Sequence, residues 1–313
     1  MHQKVNRLYL SKTRFLFHCN IKIKVPVEYG EPFLDECFQI YEEVDRRYNS
    51  YCENSYFDKI NRNAGNWVEV DNQVLSLISD LTTVTELTNG AYNIAVLPLL
   101  HLWGFYSGDE GSLPSNEEIK AAIESINEKQ IQISGNKVRI DENQAIITGS
   151  FIKAYATDVV IQHIKNKGIT DALINAGGST IFALNDEQHP YWQINIPHPV
   201  DNTIWKELRL SNQAFSMSGR KNHFRLIDGK QYGHIINGRT GWPSTHLQTG
   251  VIANTAFWSD VLSAAFFASY NLETRLLAEL FRQIFSDQFS YYCVAENWNG
   301  ENIDFNPINI HVK

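Results

Sequence analysis

The sequence predicts an α+β fold, antiparallel and mixed sheets flanked by helices, on three observations. Apolar residues recur at helical spacing in several separate stretches, most clearly Leu34, Cys37, Phe38, Tyr41, Val44 and Tyr48. From Ala172 to Ile236, short runs rich in β-branched and aromatic residues follow one another across turn residues instead of helices, as antiparallel strands do. No G-x-G-x-x-G follows a strand pattern, so a Rossmann-type dinucleotide site has no support.

Taken in order, Phe15 to Val25 ends in clean alternation and predicts one strand with Ile21, Ile23 and Val25 facing in. The helical spacing predicts an amphipathic helix between Glu31 and Tyr48 and a second from Gln73 to Leu87, stopped by Asn89-Gly90. Ser115 and Glu118 form a capping-box pattern for a third, with Ile119, Ala122, Ile123 and Ile126 as its buried stripe. Two short strands, Ile131 to Ile133 and Val138 to Ile140, meet through Gly135-Asn136. The helix carrying Lys153 runs to a glycine stop at Gly168. Strands follow at Ala172 to Ile174, Trp192 to Ile196, Trp205 to Leu210 and Ala214 to Met217, then a hairpin turning at Asp228-Gly229 between Phe224 to Leu226 and Tyr232 to Ile236. Helices from Thr255 to Ser269 and Leu272 to Phe285 precede a last strand at Tyr291 to Val294. Asp109 to Pro114 and Asn185 to Pro190 carry the turn residues of exposed loops.

A chain of 313 residues with 43% hydrophobic and 20% charged content can bury a full core, which predicts one domain over residues 1–313 or two intimately packed lobes. The net charge of -8, with 27 Lys+Arg against 35 Asp+Glu, argues against nucleic acid as a partner, because phosphate binding needs a basic footprint. Cys19, Cys37, Cys52 and Cys293 show neither a C-x-x-C pair nor zinc spacing, and read as reduced structural thiols. No apolar run reaches the length of a membrane span, and no apolar h-region follows the polar N-terminus.

The stretch Gln231-Tyr-Gly-His234-Ile-Ile-Asn237-Gly-Arg239-Thr240-Gly241-Trp-Pro243 carries a histidine out of a strand pattern into a glycine-punctuated turn, which sets a titratable ring beside free backbone donors. Alone it reads as an ordinary strand-to-loop turn. Three other stretches share its character. They are Asn89-Gly90-Ala91-Tyr92-Asn93 leading to Pro98 and Trp103-Gly104-Phe105; Gly149-Ser150-Phe-Ile-Lys153-Ala-Tyr155-Ala-Thr-Asp158 with Asn175-Ala-Gly177-Gly178; and Ser259-Asp260-Val-Leu-Ser263-Ala264-Ala265. In their order and spacing these blocks resemble the FAD:protein FMN transferases, the ApbE family, whose landmarks read "GAFDPTV…PL…LWGF", "AKGYAVD", "GGD", "HIIDPRTG" and "ADALSTA". The resemblance runs from about Phe17 to about Ser269.

It implies an ApbE-like architecture related to the T-fold, with a flavin cleft between the lobes. It also implies FAD as donor substrate, magnesium, and an acceptor flavoprotein that receives FMN on a threonine or serine. Tyr51 stands where the family stacks a tyrosine on the isoalloxazine, and Phe17 where it has an apolar contact; the glycine that follows in the family is His18 here. Ala91, Tyr92 and Asn93, Lys153, Gly177 and Gly178, Ser218 and Gly219, and Ile236 are the implied ligand contacts. His234 is the implied base for the incoming hydroxyl, and Ser150 through its carbonyl, Asp260 and Ser263 the implied magnesium ligands.

The chain departs from the family at several acids. Asn93, Ser179, Asn237 and Ile147 stand where carboxylates are usual, and Ala264 replaces an oxygen-bearing side chain. A metal site with one carboxylate should be weak until the pyrophosphate supplies further ligands. Transfer of FMN from FAD with release of AMP is the function that the resemblance implies. A binding module that has lost catalysis with its carboxylates, and a FAD pyrophosphatase using water in place of the acceptor, stay open as alternatives. The missing leader predicts a cytoplasmic protein; the family is commonly exported and membrane-anchored, so the other expectation is a leader removed ahead of residue 1.

Overall fold

A seven-stranded sheet organises the chain, and every neighbouring pair in it runs antiparallel. Its order is Tyr9–Leu16, Cys19–Pro26, Ala172–Ala176, Thr180–Leu184, Gln213–Gly219, Gln248–Ala253 and Phe289–Val294. The computed structural model describes residues 7–106, 112–126, 131–201, 203–221, 223–269, 271–284, 289–300 and 305.

The sheet is covered on both faces. Ile21, Ile23, Val25, Ile174, Phe182 and Val251 enter the main core with the helices Gly30–Tyr48, Ile152–Asn166 and Ala256–Ala268. Ile181, Ala183 and Phe215, one residue out of phase, enter a second core closed by the strand pair Trp192–Pro197 and Ile204–Leu210. Period-two side-chain alternation explains how one strand feeds two cores. A third cluster joins the helices Leu97–Leu102 and Asn116–Ser125 to Trp103, Phe105, Ile227 and Ile236, and so holds the hairpin Phe224–Ile227/Lys230–Gly233 against the rest.

The predicted α+β class, the long helices and their caps are present. Ser115 and Glu118 form the full capping box, and the Gly30–Tyr48 helix buries all six residues of its stripe. The stretch Phe15 to Val25, predicted as one strand, is instead parts of two: a tight turn at Phe17-His18 joins Tyr9–Leu16 to Cys19–Pro26. Both turn residues have positive φ, 50° and 57°, the pattern of a type I′ turn, so the left-handed backbone is kept without glycine. Tyr9–Leu16 had a predicted counterpart only at Phe15 and Leu16, and two strands of this sheet had none, Thr180–Leu184 and Gln248–Ala253. The last two are buried nearly throughout, so no polar alternation marks them. The hairpin turns at Asp228-Gly229 as expected, but its second strand ends at Gly233 and leaves Ile236 in the loop. Phe285, the predicted end of the last helix, and residues 109–111 of the predicted loop lie outside the described residues. No helix among the described residues is long and apolar enough to cross a membrane.

Candidate functional site

A cavity of about 410 Å³ opens where the ends of central sheet strands, two helix starts and the third cluster meet. That volume lies in the roughly 300–1,000 Å³ range of small-molecule sites. Its first wall is the sheet and its helices. Lys153, in the first turn of Ile152–Asn166, points across Thr180–Leu184: its Nζ lies 2.5 Å from Thr180 Oγ1, 3.2 Å from Ser179 Oγ and 3.4 Å from the Ala176 carbonyl. Asp260, one turn into Ala256–Ala268, completes the surround with Oδ2 at 3.7 Å. The Asp158 carboxylate accepts from the Ala256 and Phe257 N–H groups, which anchors the start of that helix and therefore the position of Asp260. Burial pushes the Asp260 carboxyl up, against the lowering effect of the Lys153 charge and the Thr180 hydroxyl.

The two glycines expected at this wall differ. Gly177 lines the cavity at φ 70°, and a Cβ there would meet Cys19 Sγ at 2.9 Å, so close packing of two turns fixes it as glycine. Gly178 does not line the cavity; its N–H donates to Asn175 Oδ1 within the turn. Ser218 and Gly219, at the end of their strand, do line it.

The second wall is the loop after His234. The Asn237 side chain organises it: Oδ1 accepts from the Arg239 and Thr240 N–H groups, and Nδ2 donates to the Ala268 carbonyl. Gly238 N–H donates to the Ala91 carbonyl, and Trp103 Nε1 donates to the Gly241 carbonyl. Asn93 is used the same way at both ends, donating to the Ile126 carbonyl and accepting from Ala95 N–H. An aspartate cannot donate, so these two asparagines act as struts that a carboxylate would not reproduce. His234 lines the cavity with His223 beside it, ring centroids 4.5 Å apart and tilted by 35°. His234 Nδ1 lies 3.1 Å from the His223 carbonyl. The carbonyl can only accept, so this contact assigns the proton to Nδ1 and leaves the Nε2 lone pair for chemistry. Burial, and secondarily His223, push the His234 imidazole down to about 4, which keeps the ring neutral at pH 7.

Of the expected contacts, Tyr92, Asn93, Ser150, Lys153, Gly177, Ser218, Gly219, His234, Ile236 and Asp260 converge on this one cavity. The others do not line it. Tyr51 stands one ring outward, 44% exposed, edged by His18 and packed on Tyr106 at 5.8 Å; Tyr106 is the ring on the cavity wall. Phe17 packs edge-on against Tyr41, and Ala91 is fully buried with its carbonyl holding the loop.

Sequence reasoning missed Tyr106, His223 and Lys221. For His223 a signal existed: with the turn at Asp228-Gly229, counting outward sets 223 opposite 234.

As a resident magnesium site the expected ligands do not fit. Ser263 is fully buried, its hydroxyl donating to the Asp260 carbonyl and paired with Ser218 Oγ at 2.9 Å, so it does not reach the cavity. Ala264 offers the wall only a methyl group, which leaves the Asp260 carboxylate and the Ser150 backbone carbonyl of the expected set. Among the described residues no group of three or more His, Cys, Asp or Glu could hold a metal ion. One carboxylate already facing an ammonium is a poor donor set for a hard divalent cation.

A sequence model of the ApbE family matches residues 17–284. The FAD:protein FMN transferase of Vibrio cholerae is 29% identical over 216 residues, 66% of this chain and 64% of that one, so the chain spans just under two thirds of that relative's length. The protein of that name from Haemophilus influenzae is 23% identical over 252 residues, covering 74% of this chain and 71% of its own. Among solved structures, an ApbE protein from Thermotoga maritima superposes with a TM-score of 0.81 at 24% identity, covering 95% of this chain and 97% of that one. The apo flavinyl transferase ApbE of Pseudomonas stutzeri gives 0.79 at 22%, covering 96% and 95%.

Proposed function

The chain belongs to the ApbE family, and on that footing we propose that it moves the FMN half of FAD to a serine or threonine hydroxyl of a partner flavoprotein, with AMP leaving. The observation that carries this reading is the convergence of Tyr92, Lys153, Gly177, Ser218, His234 and Asp260, from widely separated stretches, on one cavity. Relatives named FAD:protein FMN transferase support it.

In the reaction, the acceptor oxygen forms a bond to the phosphorus of the FMN half. The P–O bond to AMP breaks, AMP departs with the bridging oxygen, and the hydroxyl proton passes to Nε2 of neutral His234. Lys153 supplies positive charge to the phosphates, and the Gly177 turn and the strand end at Ser218-Gly219 let backbone approach them. Tyr106 presents the flat surface against which an isoalloxazine packs, with Tyr51 behind it as support. Phe17, Ala91, Gly178 and Ser263 belong to the frame that holds these groups. No step is assigned to magnesium.

The test is incubation with FAD, with and without an acceptor flavoprotein domain, reading free AMP by chromatography and covalent flavin by fluorescence after denaturation. Equal amounts of AMP and attached flavin, only when the acceptor is present, are expected. AMP without acceptor would make the protein a pyrophosphatase, and bound FAD with no AMP a binding module.

A further inference from the structure

We propose that the Lys153 ammonium is the built-in cation of this cleft, taking beside Asp260 the place of a divalent ion, so that the ligand's phosphates are bound without a metal; the inference rests on the reading of the cleft as a dinucleotide site. The surroundings of Nζ are those of a bound cation. Four oxygens from four residues face it, at 2.5, 3.2, 3.4 and 3.7 Å, and the side chain is only 13% exposed. An ammonium is a compact charge with three donors and no acceptor, and hydroxyl, carbonyl and carboxylate oxygens are the partners it takes. The 3.4 Å contact to the Ala176 carbonyl is the weakest hydrogen bond of the set, and it is the one an incoming phosphate oxygen replaces.

Charge accounting points the same way. Ser179, a neutral hydroxyl, stands where the family's "GGD" turn has its acid, so Asp260 is the one carboxylate within reach of the ammonium in the described ion pairs. A cation with one partner keeps attraction for an anionic ligand that a doubly paired one would lose. A divalent ion bound to the same carboxylate would share it with the ammonium, and the two like charges repel in a site this enclosed. The side-chain oxygens that would offset that repulsion are gone: Ala264 has none, and the Ser263 hydroxyl is turned into the core.

The experiment measures FAD and divalent ion separately on the full chain. FAD affinity, followed by quenching of flavin fluorescence, is expected to agree within about twofold between EDTA and millimolar MgCl₂. Mn²⁺ added to the protein alone should leave the free-ion EPR signal undiminished. Tightening of FAD binding by tenfold or more on adding Mg²⁺, or stoichiometric retention of Mn²⁺, overturns the proposal. Lys153→Met should weaken FAD binding in EDTA by about thirtyfold, the size of a hydrogen bond to a charged group.

Because that variant can fail through misfolding, Asp260→Asn provides the sharper arm. Removing the anion that competes for Lys153 should tighten FAD binding by about threefold. If Asp260 instead holds a metal, the same change weakens binding in MgCl₂ by tenfold or more and the proposal falls. Wild-type protein that takes up FAD in neither buffer sinks the flavin reading, and the Mn²⁺ arm then decides the cation assignment alone.

Discussion

The two walls of the cleft are built on different principles. On the sheet side, the polar side chains satisfy one another: Lys153 with Asp260, Thr180 and Ser179, Ser218 with Ser263, Ser216 with Ser259. On the loop side, the contacts that hold the shape are mostly to backbone: Ala91 carbonyl to Gly238, Gly241 carbonyl to Trp103, and the Asn237 amide to Ala268. The first arrangement spends its charges on each other and fixes a field. The second spends almost no titratable group on the fold, which leaves His234 with an unengaged nitrogen facing the cavity. In the proposed reaction, the sheet wall therefore sets ligand affinity and the loop wall sets the rate.

The largest test of that division is His234→Ala. Removing a general base costs about 10²–10⁴ in turnover, and the division requires FAD affinity to stay within a few fold. Equal losses in both would erase the distinction between the walls. The pH profile sharpens it. A folded pKa of about 4 means the ring is deprotonated, and able to accept, throughout the neutral range; activity is retained as pH falls to about 4 and is lost below it. An ordinary histidine would place that acid limb near 6.5. In His223→Phe, which removes the lesser of the two lowering influences on His234, the limb should move up toward neutrality.

Gly241→Ala tests the loop wall's mechanics. Gly241 has φ 72°, and an added Cβ would collide with Ile119 Cγ2 and lie 3.2 Å from Ile123 Cδ1. Overpacking of about 1–3 kcal/mol adds to a left-handed penalty of about 1–2 kcal/mol, which makes a loss of about 3 kcal/mol in denaturant unfolding the expected outcome. Turnover should fall with FAD affinity spared. Loss of FAD affinity with turnover intact would reverse the assignment of the two walls.

The same contrast explains what the sequence disclosed. Helices declared themselves through one-sided stripes and caps, as Leu34 to Tyr48 and Ser115/Glu118 show. The strand carrying Ile21, Ile23 and Val25, next to the sheet edge, was legible because Lys22 and Lys24 alternate with the buried residues. The sheet centre was not: Thr180–Leu184 is buried at every position, which removes the alternation that marks a strand. At the site, family landmarks pointed to Lys153, Asp260 and His234, all of which the fold brings to one cavity. What they could not disclose is the chain's own compensation. Tyr106 has no landmark of its own, and whether Ser263 turns inward depends on a hydrogen bond to Ser218 from another element.

Asn237→Asp addresses the missing acids directly, since it restores the family's residue. Asn237 is 3% exposed and its Nδ2 donates to the Ala268 carbonyl, a bond a carboxylate replaces with repulsion between two acceptors. The two N–H groups at Oδ1 offset part of that cost. A net destabilisation of about 1–3 kcal/mol is expected in urea or thermal unfolding, with no gain in turnover. A stable and faster variant would show that the loop wall had lost catalytic power with its carboxylate, and that the strut role is secondary.

The smallest effect is expected at His18, in the turn behind the sheet wall. Two successive non-glycine residues with positive φ each cost roughly 1–2 kcal/mol. His18→Gly relieves one of these, against a glycine entropy penalty of about 0.5–1 kcal/mol and the lost edge contact with Tyr51. The balance is a gain of about 0.5 kcal/mol, a rise of about 1 °C in Tm for a chain of this size. FAD affinity should not change, because neither Phe17 nor His18 lines the cavity. If affinity instead drops by about fivefold or more while stability rises, the strain at this turn is kept for the ligand. The contact chain from His18 through Tyr51 to Tyr106 would then join the sheet wall to the cleft's aromatic surface, and the division between a wall that binds and a wall that reacts would need a third member.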